Sequence, residues 1–185
     1  MLGYHIIVIG KTQRGKYSPT RSVPLEQSGL LCYNPVNDQI FGKGLLLVIK
    51  IDLNAEKIMA ERFGKDSIIA LATVENGVPH VRNVDAYYEG GAFYIITHAR
   101  SNKMRHIKNS PTVAIAGEWF TAHGTGADLG YWGKKENQEI AEKLKTAFAA
   151  WIDNGHTDLG DENTVILRVE LTDGLLFSQG TRYAF

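Results

Sequence analysis

Residues 67–97 read SIIALATVENGVPHVRNVDAYYEGGAFYIIT, and this stretch decides the fold class of the chain. It contains three runs rich in Ile, Val, Tyr and Thr, at 67–74, 79–88 and 92–97, separated by short sequences that include Asn76-Gly77 and Gly90-Gly91. Strand-like runs joined by Asn-Gly or Gly-Gly dipeptides are typical of antiparallel hairpins. The stretch therefore predicts a three-stranded antiparallel meander.

Short helices and a further strand follow this meander. Ser101 suits the N-cap of a short helix that ends near Asn109, because its hydroxyl can accept from the first free backbone N–H groups. A β-rich run then covers 112–121. Residues 134–151 have the apolar spacing of an amphipathic helix.

Two more elements complete the predicted domain. Apolar residues over 53–63, followed by Gly64, predict a short helix before the meander. Residues 164–171 and 175–178 flank a Thr-Asp-Gly turn and predict a closing hairpin. About six short strands with two or three helices indicate an α+β protein built on a small antiparallel barrel, because a doubly wound parallel sheet would alternate strands with long helices.

The composition describes one soluble globular domain. The 185 residues are 44% hydrophobic and 22% charged, which excludes a disordered or fibrous chain. Twenty basic and twenty acidic residues leave no net charge, so we expect no nucleic-acid partner. No apolar run approaches the ~20 residues that span a bilayer, and the single Cys32 forms no internal disulfide, so we expect a cytoplasmic protein with no membrane partner.

The charges are distributed unevenly along the chain. Residues 1–50 carry six basic and two acidic residues, a net charge of +4, so the remainder carries −4. The range 10–44 has no sustained strand or helix periodicity and contains three of the five prolines. We interpret 1–50 as a basic, loop-rich N-terminal extension and 51–185 as the folded domain.

A basic island lies inside the acidic domain, because residues 98–110 contain four Lys or Arg and no acid. At the predicted helix start, Ser101 and Lys103 would direct a hydroxyl and an ammonium to the same point as the free backbone N–H groups, a donor set that binds phosphate. The second hairpin could bring the Arg82 guanidinium beside Thr97 and Lys103. A solvated basic helix face accounts for the charges equally well.

No motif identifies a catalytic side chain or a metal centre. The six histidines form neither an HExxH pair nor a group with CxxC partners, so we predict no metal site. No G-x-S-x-G sequence marks a nucleophilic serine. We therefore assign no catalytic residue from the sequence.

Four groups of residues form an ordered set: Ile69–Thr73 with Gly77-x-Pro79-x-Val81-Arg82-x-Val84, Phe93-Tyr94-x-x-Thr97, Ser101-x-Lys103, and Ile107-x-Asn109-x-Pro111-x-Val113. Each motif is weak alone, but the set resembles the FMN-binding split β-barrel proteins related to pyridoxamine 5'-phosphate oxidase, in particular their general-stress-protein-like branch. The resemblance covers roughly residues 55–185.

The resemblance implies a set of FMN-binding residues: Arg82, Asn83, Val84, Thr97, Ser101, Asn102 and Lys103. Asn83 and Val84 would lie along the isoalloxazine ring by their backbone, and the phosphate and ribityl chain would contact Arg82, Thr97, Ser101 and Lys103. Asn102 stands where the oxidase proper has a second cation, and Tyr87 stands where it has a lysine. The nearby Trp119 and Phe120 would either shield the ring or pack in the core.

The resemblance also implies a homodimer with the flavin between the subunits. The implied function is an FMN-dependent oxidoreductase that acts on an unidentified small molecule. Residues 180–185 lack the Arg-Leu-His type signature with which the oxidase grips its substrate phosphate, so we do not expect a pyridoxamine phosphate oxidase. A non-catalytic protein that binds or stores a flavin, a deazaflavin or haem is the alternative, and a structural dimer with an empty pocket is a third hypothesis.

Overall fold

The computed structural model describes residues 6–11, 17–23, 53–155 and 157–185. The chain divides into two compact units, Met1–Lys50 and Ile51–Phe185. In the first unit, β1 (Ile6–Lys11) and β2 (Tyr17–Val23) pair antiparallel. β2 is a strand within a range where we expected loop, and the rest of the loop-rich prediction lies outside the described residues.

The second unit contains seven strands, namely β3 (Ser67–Glu75), β4 (Val78–Glu89), β5 (Ala92–His98), β6 (Thr112–Gly117), β7 (Phe120–Tyr131), β8 (Thr164–Ser178) and β9 (Thr181–Ala184). Its described helices are α1 (Leu53–Phe63), α2 (Asn102–Asn109) and α3 (Gln138–Ala147), the last preceded by a 3-10 turn. The strands lie in the order β5-β4-β3-β6-β7-β8-β9, and pairing of β5 with β8 closes the first six into a barrel. The predicted α+β split barrel is confirmed.

The predicted meander is also confirmed, since β3, β4 and β5 begin and end within one residue of the expected positions. Its turns use positive φ angles at Asn76 and Gly77 and again at Gly90 and Gly91, the conformation that two-residue hairpins require. β4 and β5 pair over only three residue pairs beside the second turn, and β5 then pairs along its whole length with β8. This divergence separates the two hairpin strands on the side that carries Arg82.

The barrel interior is filled by alternate residues of every strand. Phe63 of α1 closes one side, with its ring centroid 5.7 Å from that of Phe93 and 5.6 Å from that of Phe120. A Cβ on Gly117 would approach the Phe63 ring to 3.0 Å, so a larger residue at this strand end would require the ring to shift. α1 is tied to the barrel further along, where the Tyr88 hydroxyl donates to Glu56 Oε2 at 2.5 Å.

A second apolar cluster lies outside the barrel, where α3 covers β5. Leu144, Phe148 and Ile152 are buried there against Ile166 of β8. The partly buried Tyr87 of β4 packs against the same cluster. Tyr87 therefore belongs to the α3 contact.

Two sequence-based assignments are wrong in detail. The run 112–121 is two strands, because a tight turn at Glu118 and Trp119 separates β6 from β7. Thr172 is a bulge inside the continuous strand β8, where the register of β7 shifts between His123 and Gly124, and the predicted turn does not exist. The actual hairpin follows at Gln179-Gly180, where β8 turns into β9.

The adjacent aromatic residues of the β6–β7 turn separate in the fold. Phe120 is buried in the core, which is one of the two alternatives given above, whereas Trp119 is 70% exposed. In the part of the chain that is described, no helix is long and apolar enough to cross a membrane.

Candidate functional site

The first turn of α2 holds polar groups that the protein itself leaves without partners. Ser101 occupies the N-cap position with extended backbone, as predicted, but its side chain makes no capping hydrogen bond. Its Oγ is buried and has no hydrogen-bond partner. The first helical bond runs from Arg105 N to Ser101 O, so the preceding backbone N–H groups of the helix have no intrahelical acceptor.

Lys103 and Arg82 form a pair of neighbouring cations beside this helix start. Burial lowers the pKa of the Lys103 ammonium, and the positive charge of Arg82 lowers it further. Lys103 has no ion pair with a carboxylate among the described residues. Two like charges held together in a half-buried position are expected to attract an anion.

The Arg82 side chain is fixed from the barrel side. Its Nη1 donates to Leu71 O at 3.2 Å and to Thr73 Oγ1 at 2.7 Å. Burial lowers the pKa of Arg82 as well. Arg82 lies on the same face of β4 as the buried Val84 and Ala86, because the three occupy every second position, so it belongs to the inward face at the barrel end.

A polar chain continues from Arg82 to the middle of α2. Thr73 is fully buried, and its Oγ1 lies 2.9 Å from Nδ1 of the buried His106. The His106 Nε2 lies 3.3 Å from Glu75 Oε2, and Arg105 Nη2 pairs with Glu75 Oε1 at 2.9 Å. Arg82 is therefore connected through one threonine to a histidine, a carboxylate and a second arginine.

The fold brings some predicted site residues together and separates others. Arg82 lies close enough to Lys103 for its charge to lower the pKa of the ammonium, and Ser101 precedes the same helix turn directly after β5, with its backbone N donating to His98 O at 3.0 Å. Thr97 lies half-buried near the end of β5, opposite Val165. No contact between Thr97 and Arg82 is formed by β-pairing, because β4 and β5 have diverged before they reach these residues.

The remaining predicted residues lie around this group. Asn102 is exposed in the first turn of α2. Asn83 is exposed on the outer face of β4, and Val84 is buried in the core. Only the backbone of Val84 is available to a ligand on the outer face.

The sequence interpretation missed Thr73, Glu75 and His106. Thr73 follows Ile69 and Leu71 on the inward face of β3, and a lone hydroxyl in an apolar alternation is the signal that could have been used. His106 carried no signal of its own, because a histidine between buried Met104 and Ile107 is compatible with either face of a short helix.

The outer face of the barrel carries a shallow apolar groove of about 520 Å³. Its floor is made of small side chains from β3 and β6, namely Ala70, Ala72, Ala114 and Ala116. Val81 of β4 borders it with 68% of its surface exposed, and Ile68 nearby on β3 is equally exposed. Asn83 follows Val81 on the same face of β4.

Known proteins share this architecture. The family model for pyridoxamine 5'-phosphate oxidase matches residues 55–176. General stress protein 26 of Bacillus subtilis (strain 168) is 29% identical over 114 residues, which are 61% of this chain and 81% of that protein. The structure of General Stress Protein 26 from Bacillus anthracis str. Sterne matches with a TM-score of 0.52 at 18% identity, over 66% of this chain and 92% of that chain.

A second structural match has the same fold. A NimC/NimA family protein from Clostridium acetobutylicum has a TM-score of 0.51 at 19% identity, over 70% of this chain and 93% of that chain. At these identities the two structural matches show a common fold.

Proposed function

The chain belongs to the pyridoxamine 5'-phosphate oxidase family, and on that premise we propose that it is a cytoplasmic flavoprotein that binds FMN noncovalently and acts as an oxidoreductase on a small molecule. When bound, FMN supplies hydride and electron transfer. The protein's own residues then need only bind the cofactor, orient it and exclude water.

One observation carries the proposal: Lys103 and Arg82 are both partly buried, the charge of Arg82 lowers the pKa of the Lys103 ammonium, and Lys103 has no carboxylate partner among the described residues. The buried Ser101 hydroxyl adds an orphaned donor at the same helix start. A phosphate monoester would accept from all three groups and from the free N–H groups of α2, which satisfies polar atoms that the fold leaves unpaired. The residues present therefore fit the phosphate end of FMN.

The competing interpretation, a solvated basic helix face, is weaker once the fold is known. On such a face, the lysine side chains would project into water and would not be buried beside another cation. Lys108, in the last turn of α2, is exposed in this way, whereas Lys103 is partly buried beside another cation. The two lysines thus provide a matched pair for testing the phosphate site.

We also propose that the protein forms a homodimer through the groove face of the barrel. Exposed Val81 and Ile68 beside a floor of alanines make an apolar surface that a second copy would cover. Asn83 lies on this face, so a flavin ring along its backbone would be enclosed between subunits. Replacing Ala114 with Glu should convert the dimer to monomer in analytical ultracentrifugation, and a dimer that persists unchanged would reject this interface.

The phosphate assignment is tested by comparing FMN with riboflavin, which lacks the phosphate. In isothermal titration calorimetry, Lys103→Ala should weaken FMN binding about 10- to 100-fold, as expected for a lost charge-assisted hydrogen bond, while riboflavin binding changes little. Lys108→Ala is the control and should bind both ligands as the wild type does. Equal losses for FMN and riboflavin, or none, would contradict the proposed site.

Turnover is tested separately from binding. Stopped-flow mixing of the FMN-loaded protein with NADPH or NADH should bleach the flavin absorbance, and a small-molecule acceptor should restore it. A protein that binds FMN tightly but is reduced by neither nucleotide would be a flavin carrier, which is the alternative function considered for this sequence.

A further inference from the structure

We propose that Glu75, His80 and His106 form a binding site for a divalent transition-metal ion of the Zn²⁺ class. The three residues come from the end of β3, the start of β4 and the middle of α2. One donor atom from each residue can be chosen so that all three atoms lie within 4.8 Å of one another. This inference is independent of the flavin proposal, because none of the three residues belongs to the phosphate group.

The strongest observation concerns His106 Nε2. The His106 side chain is 2% exposed, yet Nε2 has no hydrogen-bond partner. It lies 3.3 Å from Glu75 Oε2 without the geometry of a hydrogen bond. Two ligands bound at ~2.0–2.1 Å to one tetrahedral ion are separated by about 3.3–3.4 Å, so the pair already has the spacing of metal ligands.

The other ring nitrogen of His106 is held as metal-binding histidines usually are. Nδ1 lies 2.9 Å from Thr73 Oγ1, which can accept a hydrogen bond from it. When Nδ1–H donates to this hydroxyl, the lone pair of Nε2 remains free and is directed at Glu75. Fixing the tautomer and ring orientation through the second nitrogen is the usual outer support of a metal-bound imidazole.

His80 supplies the third ligand from the neighbouring strand. Its ring centroid lies 4.8 Å from that of His106, and the two rings are tilted by 51°. Two imidazole nitrogens and one carboxylate oxygen favour Zn²⁺, Co²⁺ or Ni²⁺ over Mg²⁺ or Ca²⁺, which prefer oxygen ligands. Three protein ligands leave a fourth tetrahedral position for water.

Arg105 opposes the cation and donates hydrogen bonds to both oxygens of Glu75. Its Nε and Nη2 lie 3.1 and 2.9 Å from Glu75 Oε1, whereas the distance from Nη2 to Oε2 is 3.2 Å. Oε1 has the two shorter contacts with Arg105, whereas Oε2 lies between Arg105 Nη2 and His106 Nε2, so a metal ion bound to Oε2 would compete with Arg105 for this oxygen. The positive charge of Arg105 should lower the affinity for a metal, so Arg105→Gln should bind the ion several-fold more tightly.

The test uses the full-length protein after treatment with a chelator. Titration with ZnCl₂ in a calorimeter should give one saturable site per chain, and Co²⁺ should give the visible absorption bands of a low-coordinate site. His80→Ala and Glu75→Gln should each weaken Zn²⁺ binding at least 10-fold. His106→Ala should abolish it, and circular dichroism would check that this buried substitution leaves the fold intact.

Two control variants give every outcome a meaning. His123→Ala removes an exposed histidine that already pairs with Asp173, and it should leave Zn²⁺ binding unchanged. Lys103→Ala should also bind Zn²⁺ normally, so failure of the flavin site and failure of the metal site are distinguishable. Absence of saturable binding, binding that survives His80→Ala and Glu75→Gln, or binding lost in His123→Ala would each overturn the proposal.

Discussion

The first turn of α2 and the turn that follows it differ in how many of their polar groups have partners within the protein. Lys103 and Ser101 at the start have no described partner for the ammonium or the buried hydroxyl. Arg105 and His106 further along are held in a chain that runs through Glu75 and Thr73. Buried polar groups are nearly always satisfied in folded proteins, so the unpaired groups of the first turn, like the unpaired Nε2 of His106 in the second, mark places shaped for a ligand. The hydrogen bonds of the second turn stabilise the protein and position Arg82 through Thr73.

The largest effect is expected from replacing Arg82, which belongs both to the predicted phosphate group and to the polar chain through Thr73. Arg82→Ala should weaken FMN binding about 100-fold or more, because a charge-assisted contact to phosphate is lost. It should also lower the free energy of unfolding by about 1–3 kcal/mol, since Leu71 O and Thr73 Oγ1 lose their donor. Urea unfolding and FMN titration measure the two effects, with the exposed Arg182→Ala as control. FMN affinity within three-fold of wild type would refute this role.

A smaller effect, confined to the polar chain from Arg82 to His106, is expected for Thr73→Val. The substitution conserves volume but removes the hydroxyl that joins Arg82 to His106 in a fully buried position. The free energy of unfolding should fall by about 1–3 kcal/mol, whereas FMN affinity should fall less than 10-fold because Arg82 keeps its bond to Leu71 O. Thr125→Val, on the exposed face of β7, should change neither quantity. A stability loss in the control equal to that in Thr73→Val would remove the distinction.

In the first turn of α2, we expect the protein to become more stable when the charge of Lys103 is removed. The pKa of Lys103 is lowered from 10.5 in the folded protein, so the unfolded chain binds this proton more tightly and protonation favours unfolding. Without FMN, Lys103→Met should therefore raise the melting temperature by about 1–3 °C near neutral pH. The difference should shrink as the pH rises from the lowered pKa towards 10.5, where both states lose the proton. Lys108→Met should show no such pH-dependent gap in calorimetric melting.

The smallest effect on the fold is expected at Ser101. Loss of an N-cap hydroxyl usually costs about 1 kcal/mol, but this hydroxyl makes no capping bond. Ser101→Ala should therefore change the unfolding free energy of the FMN-free protein by less than about 0.5 kcal/mol, while FMN affinity falls about 3- to 10-fold. Chemical denaturation with and without FMN separates the two quantities. A clear loss of stability without FMN would show that the serine serves the helix.

Much of the fold could be predicted because its signals are local. Asn76-Gly77 and Gly90-Gly91 adopt the positive φ angles of tight hairpins, so the sequence located both turns of the meander. The errors arose where local chemistry misleads: Thr-Asp-Gly resembles a turn, but the long pairing of β8 with β7 absorbs Thr172 as a bulge. The turn at Trp119 was missed because an aromatic residue with positive φ is unusual.

The site residues stay a prediction, but part of their arrangement could be expected from the sequence. Ser101 and Lys103 are two residues apart on one short helix, and their common helix turn followed from spacing. The approach of Arg82 to Lys103 was also expected, although the strands of its hairpin diverge before they reach Thr97. Arg82 therefore approaches Lys103 at the barrel end beside α2, and not through a cross-strand pair of β4 and β5.

The sequence alone determined the antiparallel strands, the N-cap of α2 and the acid-free basic island, because turns, caps and charge clusters depend on neighbouring residues. Only the tertiary structure decided which cations remain unpaired and which polar groups join in the chain from Arg82 to Glu75. Glu75, His80 and His106 follow no metal-binding spacing, yet barrel closure places them within reach of one ion. Burial and long-range contacts set these properties, since a side chain's partners are fixed only when distant segments pack together.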